Sequence, residues 1–171
     1  MRKVLLSLAI ALLLVLVPVI PAFAATTADV TVTATPASVI AITDNATGAA
    51  FGEVADGATV QTTTAYIHIN NTSNVQVDMT ISVTTSTWAG GVTWTHDDTG
   101  SPGADTAGLK ANRGGTWGVG DVVVKNVSPL FIYENCPAGT DFDYGLQLLV
   151  PTSTTDVVEK SNTVRVSAAA G

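Results

Sequence analysis

The chain has 171 residues, of which 46% are hydrophobic and only 12% charged, and its formal net charge is −7. A polyanion is repelled by so acidic a surface, which argues against nucleic acid and anionic membrane as partners. The single cysteine, Cys136, rules out an internal disulfide framework, so packing and ladder hydrogen bonds must hold the fold.

Residues 1–24 read as a secretory signal peptide. Arg2 and Lys3 form the positive start, Val4 to Val17 the apolar run, and Ala22-Phe23-Ala24 the small-residue cleavage site, with cleavage expected between Ala24 and Ala25. The apolar run is shorter than a usual membrane span, so no membrane association is expected after processing. Loss of Arg2 and Lys3 takes the basic count from 7 to 5 against 14 acidic residues, a mature charge of −9. The expected location is secreted, extracellular or at the cell surface. The remainder, 25–171, is long enough for one domain with a substantial core. All 26 threonines lie in it, and this β-branched residue favours half-buried strands.

From Asp29 to Thr35, Val30, Val32 and Ala34 alternate with Thr31, Thr33 and Thr35, a first strand closed by Pro36. Val39 to Ile42 reads as its continuation and Asp44 to Gly48 as a turn. Gly52 and Gly57 bracket a second turn, where glycine takes positive φ without steric penalty. Ala65, Ile67 and Ile69 then face one way and Tyr66, His68 and Asn70 the other. Val75, Val77, Met79, Ile81 and Val83 repeat the two-residue period. The polar stretch Asn70 to Asn74 between these runs suits a hairpin or a crossing between sheets.

Phe51, Gly52, Val54 and Gly57, followed by a threonine-rich strand, Asn70-Asn71 and the Val75 to Val83 alternation, resemble a pattern found in secreted immunoglobulin-like domains. The resemblance implies a sandwich fold and leaves the partner open. A looser likeness is to secreted filament subunits of the TasA and camelysin kind, which pair a signal peptide with one β-sandwich.

Thr85 to Gly120 is the least regular stretch. It contains Trp88, Trp94 and Trp117 and the pairs Gly90-Gly91 and Gly114-Gly115. Strands are expected over 91–96 and 106–111, separated by a loop from Asp97 to Asp105. Further strands are expected over 121–127, 130–133 and 142–150, the last placing Tyr144, Leu146, Leu148 and Val150 on one face. A loop over 134–140 carries Cys136, read as a buried small hydrophobe. A closing strand over 155–168 turns Val164 and Val166 inward. No segment has helical period. The whole reads as all-β, an immunoglobulin-like antiparallel sandwich of seven to nine strands.

Chemistry is sparse. His68 and His96 are the only histidines, and no nucleophile motif accompanies them, so no catalytic residue and no enzyme is expected. His68, His96, Cys136 and Met79 supply the residue types of a blue-copper site, but no histidine follows the cysteine as such sites require. No cofactor is expected, with Ca²⁺ the one candidate: Asp97, Asp98 and Asp105 share a glycine-rich loop with Ser101, outside EF-hand spacing. The competing reading is a solvated loop whose aspartates make local turn hydrogen bonds. Asp141 and Asp143 flank Phe142 at strand spacing and read as solvated. Trp88, Trp94 and Trp117 are candidate ligand-binding residues for carbohydrate or protein contact, against a reading in which they plug the core. Asparagine sequons begin at Asn45, Asn70, Asn71 and Asn126.

These features point to an exported, non-enzymatic structural or adhesive protein, a subunit of an extracellular filament or surface layer joined by β-strand contacts. Self-association or other surface proteins are the expected partners, and residues 25–35 are a candidate donor strand. The alternative is a secreted carbohydrate-binding module that uses the tryptophans on polysaccharide.

Overall fold

The clearest alternation in the chain becomes the strand at the centre of the smaller sheet. In a computed structural model, which describes residues 33–34, 37–45 and 48–171, β4 (Val77–Val83) alternates buried and half-buried residues along its whole length. Val77, Met79, Ile81 and Val83 are at most 2% exposed. Burying each such side chain contributes about 1.5–3 kcal/mol, which fixes the register, since a slip of one residue would put the row in water.

Two antiparallel neighbours flank β4. On one side β11 (Val164–Ala170) pairs over all seven of its residues in unbroken register. On the other β9 (Leu130–Cys136) pairs with two register shifts, and Asn135 near its end takes φ of 54°. The expected loop over 134–140 is therefore strand as far as Cys136. The reason is burial: Cys136 pairs with Val77 and is fully buried, while the polar Glu134 and Asn135 lie exposed on the way to it.

The larger sheet has eight strands: β1 (Ile42–Asp44), β2 (Thr59–Gln61), β3 (Ile67–Asn71), β5 (Thr87–Trp88), β6 (Trp94–Asp97), β7 (Thr106–Asn112), β8 (Val122–Val123) and β10 (Phe142–Leu149). Its spine is β10, buried on both faces over most of its length. One edge of β10 meets β7; the other meets β3 along Phe142 to Tyr144 and β2 along Gln147 to Leu149. Gly145 lies where the 62–66 connection crosses β10, and a Cβ there would run into the Thr63 carbonyl. The stretch from Asn70 to Asn74 is the crossing between sheets, because β3 lies in the larger sheet and β4 in the smaller. Asn71 braces it, accepting from the Ser73 N–H at 3.1 Å and donating to the Pro137 carbonyl at 2.9 Å.

The core lies between the sheets. Ile67, Ile69, Leu109, Tyr144 and Leu146 of the larger sheet join Val77, Met79, Ile81 and Ile132 of the smaller in one cluster, and Phe51 and Val54 pack on its margin. The domain spanning Ala37–Gly171 is thus all-β and two-sheeted.

Three further details depart from expectation. The described residues form eleven strands, not seven to nine. The short strands β1, β2 and β5 add to the number; they have two or three residues each, too few for a two-residue period to register. The larger sheet is not purely antiparallel: β6 and β7 run parallel, and the mixed sheet curls into a half-barrel. The 98–105 loop turns the chain back before β7 begins, so β7 enters in the direction of β6. The strand expected over 121–127 shrinks to Val122–Val123; Val124 is fully buried beyond it, its N–H bonded to the Leu109 carbonyl at 2.9 Å, and Val127 is exposed. The leader, and the strand expected over 29–35 apart from Thr33 and Ala34, lie outside the described residues.

Candidate functional site

The tryptophans do not form one exposed platform. Trp88 and Trp94 are cross-strand neighbours on β5 and β6 and are 7% and 8% exposed. Trp88 stacks on His96 with ring centroids 6.2 Å apart, and the Lys160 ammonium lies 5.4 Å from the centre of the Trp94 ring. Trp117 is half-buried elsewhere, on the turn after β7, where its Nε1–H donates to the Thr62 carbonyl at 3.2 Å. Two of the three indoles are therefore core residues, and the third is tethered by its polar edge.

Polar atoms share that corner. His96 Nε2 lies 2.7 Å from the Val124 carbonyl, which can only accept, so Nε2 carries a proton. Nδ1, Trp88 Nε1 and Trp94 Nε1 are buried without a partner among the described residues. Beside them Lys160, its side chain 4% exposed, meets Asp156 at 2.7 Å. Asp156 also accepts from the Val92 N–H. The bond from Lys160 and then that from Val92 hold the Asp156 carboxyl below its usual range, against the opposing effect of burial. Gly90 and Gly91 are required here: both take positive φ, and a Cβ on either would strike the 156–160 segment. The sequence held no signal for this pair, since neither residue belongs to a recognisable motif.

The three aspartates of the calcium candidate diverge. Asp97, 6% exposed, accepts from the Thr99 N–H and hydroxyl at 3.0 and 2.6 Å and from the Ser101 N–H at 2.6 Å. Burial pushes its carboxyl up, but these bonds outweigh it and hold the group below the usual range. Asp98 turns to the Asn126 N–H at 2.7 Å, and Asp105, at φ of 46°, to the Thr155 N–H at 3.0 Å. Each carboxylate pins a different segment. Among the described residues no group of three or more His, Cys, Asp or Glu side chains could hold a metal ion.

A charged cluster forms where none was read. His68 of β3 faces Asp143 of β10, Nδ1 to Oδ1 2.6 Å, with Asp141 3.9 Å from Nε2. The Asp143 hydrogen bond, against a smaller opposing effect of burial, raises the His68 pKa above its usual value. Cys136 is buried, its sulfur 3.5 Å from Asn71 Nδ2. Asn71, a sequon asparagine, is itself only 2% exposed.

Two surface features remain. An open groove of about 620 Å³ runs between β8 and β9, lined by Asp98, Asp121, Val123, Lys125, Leu130 and Phe131, with Phe131 49% exposed. The smaller sheet also ends on two seven-residue strands, β9 and β11, each paired only with β4 among the described residues. No family model, no curated protein and no solved structure matches the chain. Fold and surface together define an all-β domain of two sheets, the smaller edged by two seven-residue strands among the described residues.

Proposed function

We propose that the protein is an exported, non-enzymatic structural or adhesive subunit of an extracellular filament or surface layer, assembled through β-strand contacts. The observation that carries this reading is the pair of seven-residue edges on the smaller sheet. An edge strand presents unpaired N–H and C=O groups in a row, and soluble β proteins ordinarily keep such edges short, charged or covered. The leader-like residues 1–24 support export, Phe51, Gly52, Val54 and Gly57 support the finer likeness to secreted immunoglobulin-like domains, and the pairing of a leader with one β domain supports the looser likeness to TasA and camelysin-type subunits. The partner is then a further copy or another surface protein. Negative-stain microscopy of the purified chain, over a range of concentrations, is the test. Filaments or sheets are the expected result; dispersed single particles throughout would overturn the reading.

The carbohydrate-binding alternative draws on the groove beside Phe131 and on Trp117, since Trp88 and Trp94 are buried. Quenching of tryptophan fluorescence by a soluble polysaccharide, lost on Trp117→Phe, is the result it requires.

A further inference from the structure

The edges of the smaller sheet differ in what they can accept. Strand β9 is interrupted by two register shifts and a left-handed residue, Asn135, devices that twist an edge away from further pairing. Strand β11 has neither: its seven residues keep one register with β4 and contain no proline. Its inward row is also incompletely covered. Val164, Val166 and Ala168 are half-buried, while the β4 row beside them is at most 2% exposed.

The hydrogen-bond phase shows which groups β11 offers. Thr84 donates to the Thr163 carbonyl and Gly171 to the Gln76 carbonyl, and both pairs lie in the register of β11 with β4. Residues 165, 167 and 169 therefore bond β4, and 164, 166, 168 and 170 point their N–H and C=O groups away from it, because antiparallel bonding alternates along a strand.

We infer that β11 pairs antiparallel with β11 of a second copy, about a twofold axis at Ser167, joining two three-stranded sheets into one of six. In that register Val164 faces Ala170 and Val166 faces Ala168 of the other copy, so the outward-pointing groups bond one another. The half-buried rows then continue from one copy into the next.

Charge favours this occupant in a chain of net −7. Arg165 is the only charged residue of β11, and it meets Ala169 of the other copy, not a second arginine. Ala169 is the cross-strand neighbour of Asp78 on its own β4. Two strand spacings place Arg165 and that Asp78 about 10 Å apart at Cα, within reach of an arginine over a small alanine. The arrangement occurs twice per dimer, so each copy donates one cation and one anion.

The inference rests on the self-association reading and names its surface. Sedimentation velocity of the purified chain should show a monomer–dimer equilibrium. Ala169→Arg sets arginine against Arg165 and should weaken the dimer at least tenfold. Arg165→Glu combined with Ala169→Arg restores opposite charges and should recover it. Ala168→Pro removes one outward N–H, leaves the β4 ladder intact, and should weaken it as well. Circular dichroism of each variant reports that the β fold persists, and the charge pair decides the matter if the proline variant unfolds. Amide exchange should protect Val166 and Ala168 only at dimer concentrations. A dimer indifferent to the charge variants, or concentration-independent protection of Val166 and Ala168 in a monomer, would overturn the inference. Filaments that survive the charge variants would leave the structural reading standing without this edge; a β11 dimer with no larger assembly in the microscope would leave the edge and remove the filament.

Discussion

His68 and Asp143 stand directly opposite each other on β3 and β10, with Nδ1 and Oδ1 2.6 Å apart. The pair lies on the solvent side of the larger sheet, where His68 and Asp143 keep 39% and 43% of their side-chain surface exposed. The Asp143 bond raises the histidine pKa above its usual value. A group whose folded pKa is raised stabilises the fold fully below its unfolded pKa, and that contribution disappears as pH rises through the folded value. Titration by NMR should place His68 above about 6.5, the ordinary histidine value. Asp143→Asn should bring it back toward that value, and a His68 pKa unmoved by the substitution would contradict the pairing.

Gly145 carries a steric load. A Cβ there meets Thr63 and Thr64 backbone where the chain crosses β10. Gly145→Ala should destabilise the domain by about 1–3 kcal/mol, the range for overpacking a site that cannot yield. Urea unfolding measures it, and a midpoint equal to wild type would show that the crossing relaxes.

The Lys160–Asp156 pair holds the 156–160 segment over Gly90 and Gly91. Removing either partner leaves the other charge uncompensated, and the penalty is larger for the better-buried survivor: the Lys160 side chain is 4% exposed and that of Asp156 17%. Asp156→Ala should therefore lower the thermal midpoint more than Lys160→Met, whose side chain still packs near Trp94. The depressed Asp156 carboxyl gives the same pair an acid dependence: its contribution is present above the unfolded pKa and is lost as pH falls through the folded one. Thermal melts of both variants at neutral and acid pH test the order.

Indole accessibility should be uneven. Trp88 and Trp94 are in the core and Trp117 is half-buried. Acrylamide quenching should fall when Trp117 is replaced by Phe and change little when Trp94 is, provided the variants remain folded. Equal losses would mean that the β5–β6 corner opens in solution.

Sequence reading succeeded where one strand carries its own evidence. The alternation of Val77, Met79, Ile81 and Val83 appears as a buried row, and Phe142 to Leu149 appears as a strand. It failed where the signal is short or lies in another part of the chain. Strand β5 has two residues and exists because β6 pairs with it. The 134–136 stretch reads as polar loop, yet pairing with β4 draws Cys136 into the core. Asp97, Asp98 and Asp105 share one loop, and sequence left a ligand set and a set of turn-bonding carboxylates as competing readings; their separate donors on Thr99, Asn126 and Thr155 are visible only in the fold.

The order of side chains alone determined that this is a β protein and that β4 carries one dry face, because a pleat sends successive residues to opposite sides whatever the partner. Which strands pair, that β6 and β7 run parallel, that two indoles are buried, and that β11 ends the smaller sheet among the described residues were decided only by the folded chain. Those facts depend on contacts between residues tens of positions apart, such as His68 with Asp143, separated by 75 positions. A local pattern cannot encode them, because the free energy that selects a partner strand arises only when both faces of the core close together.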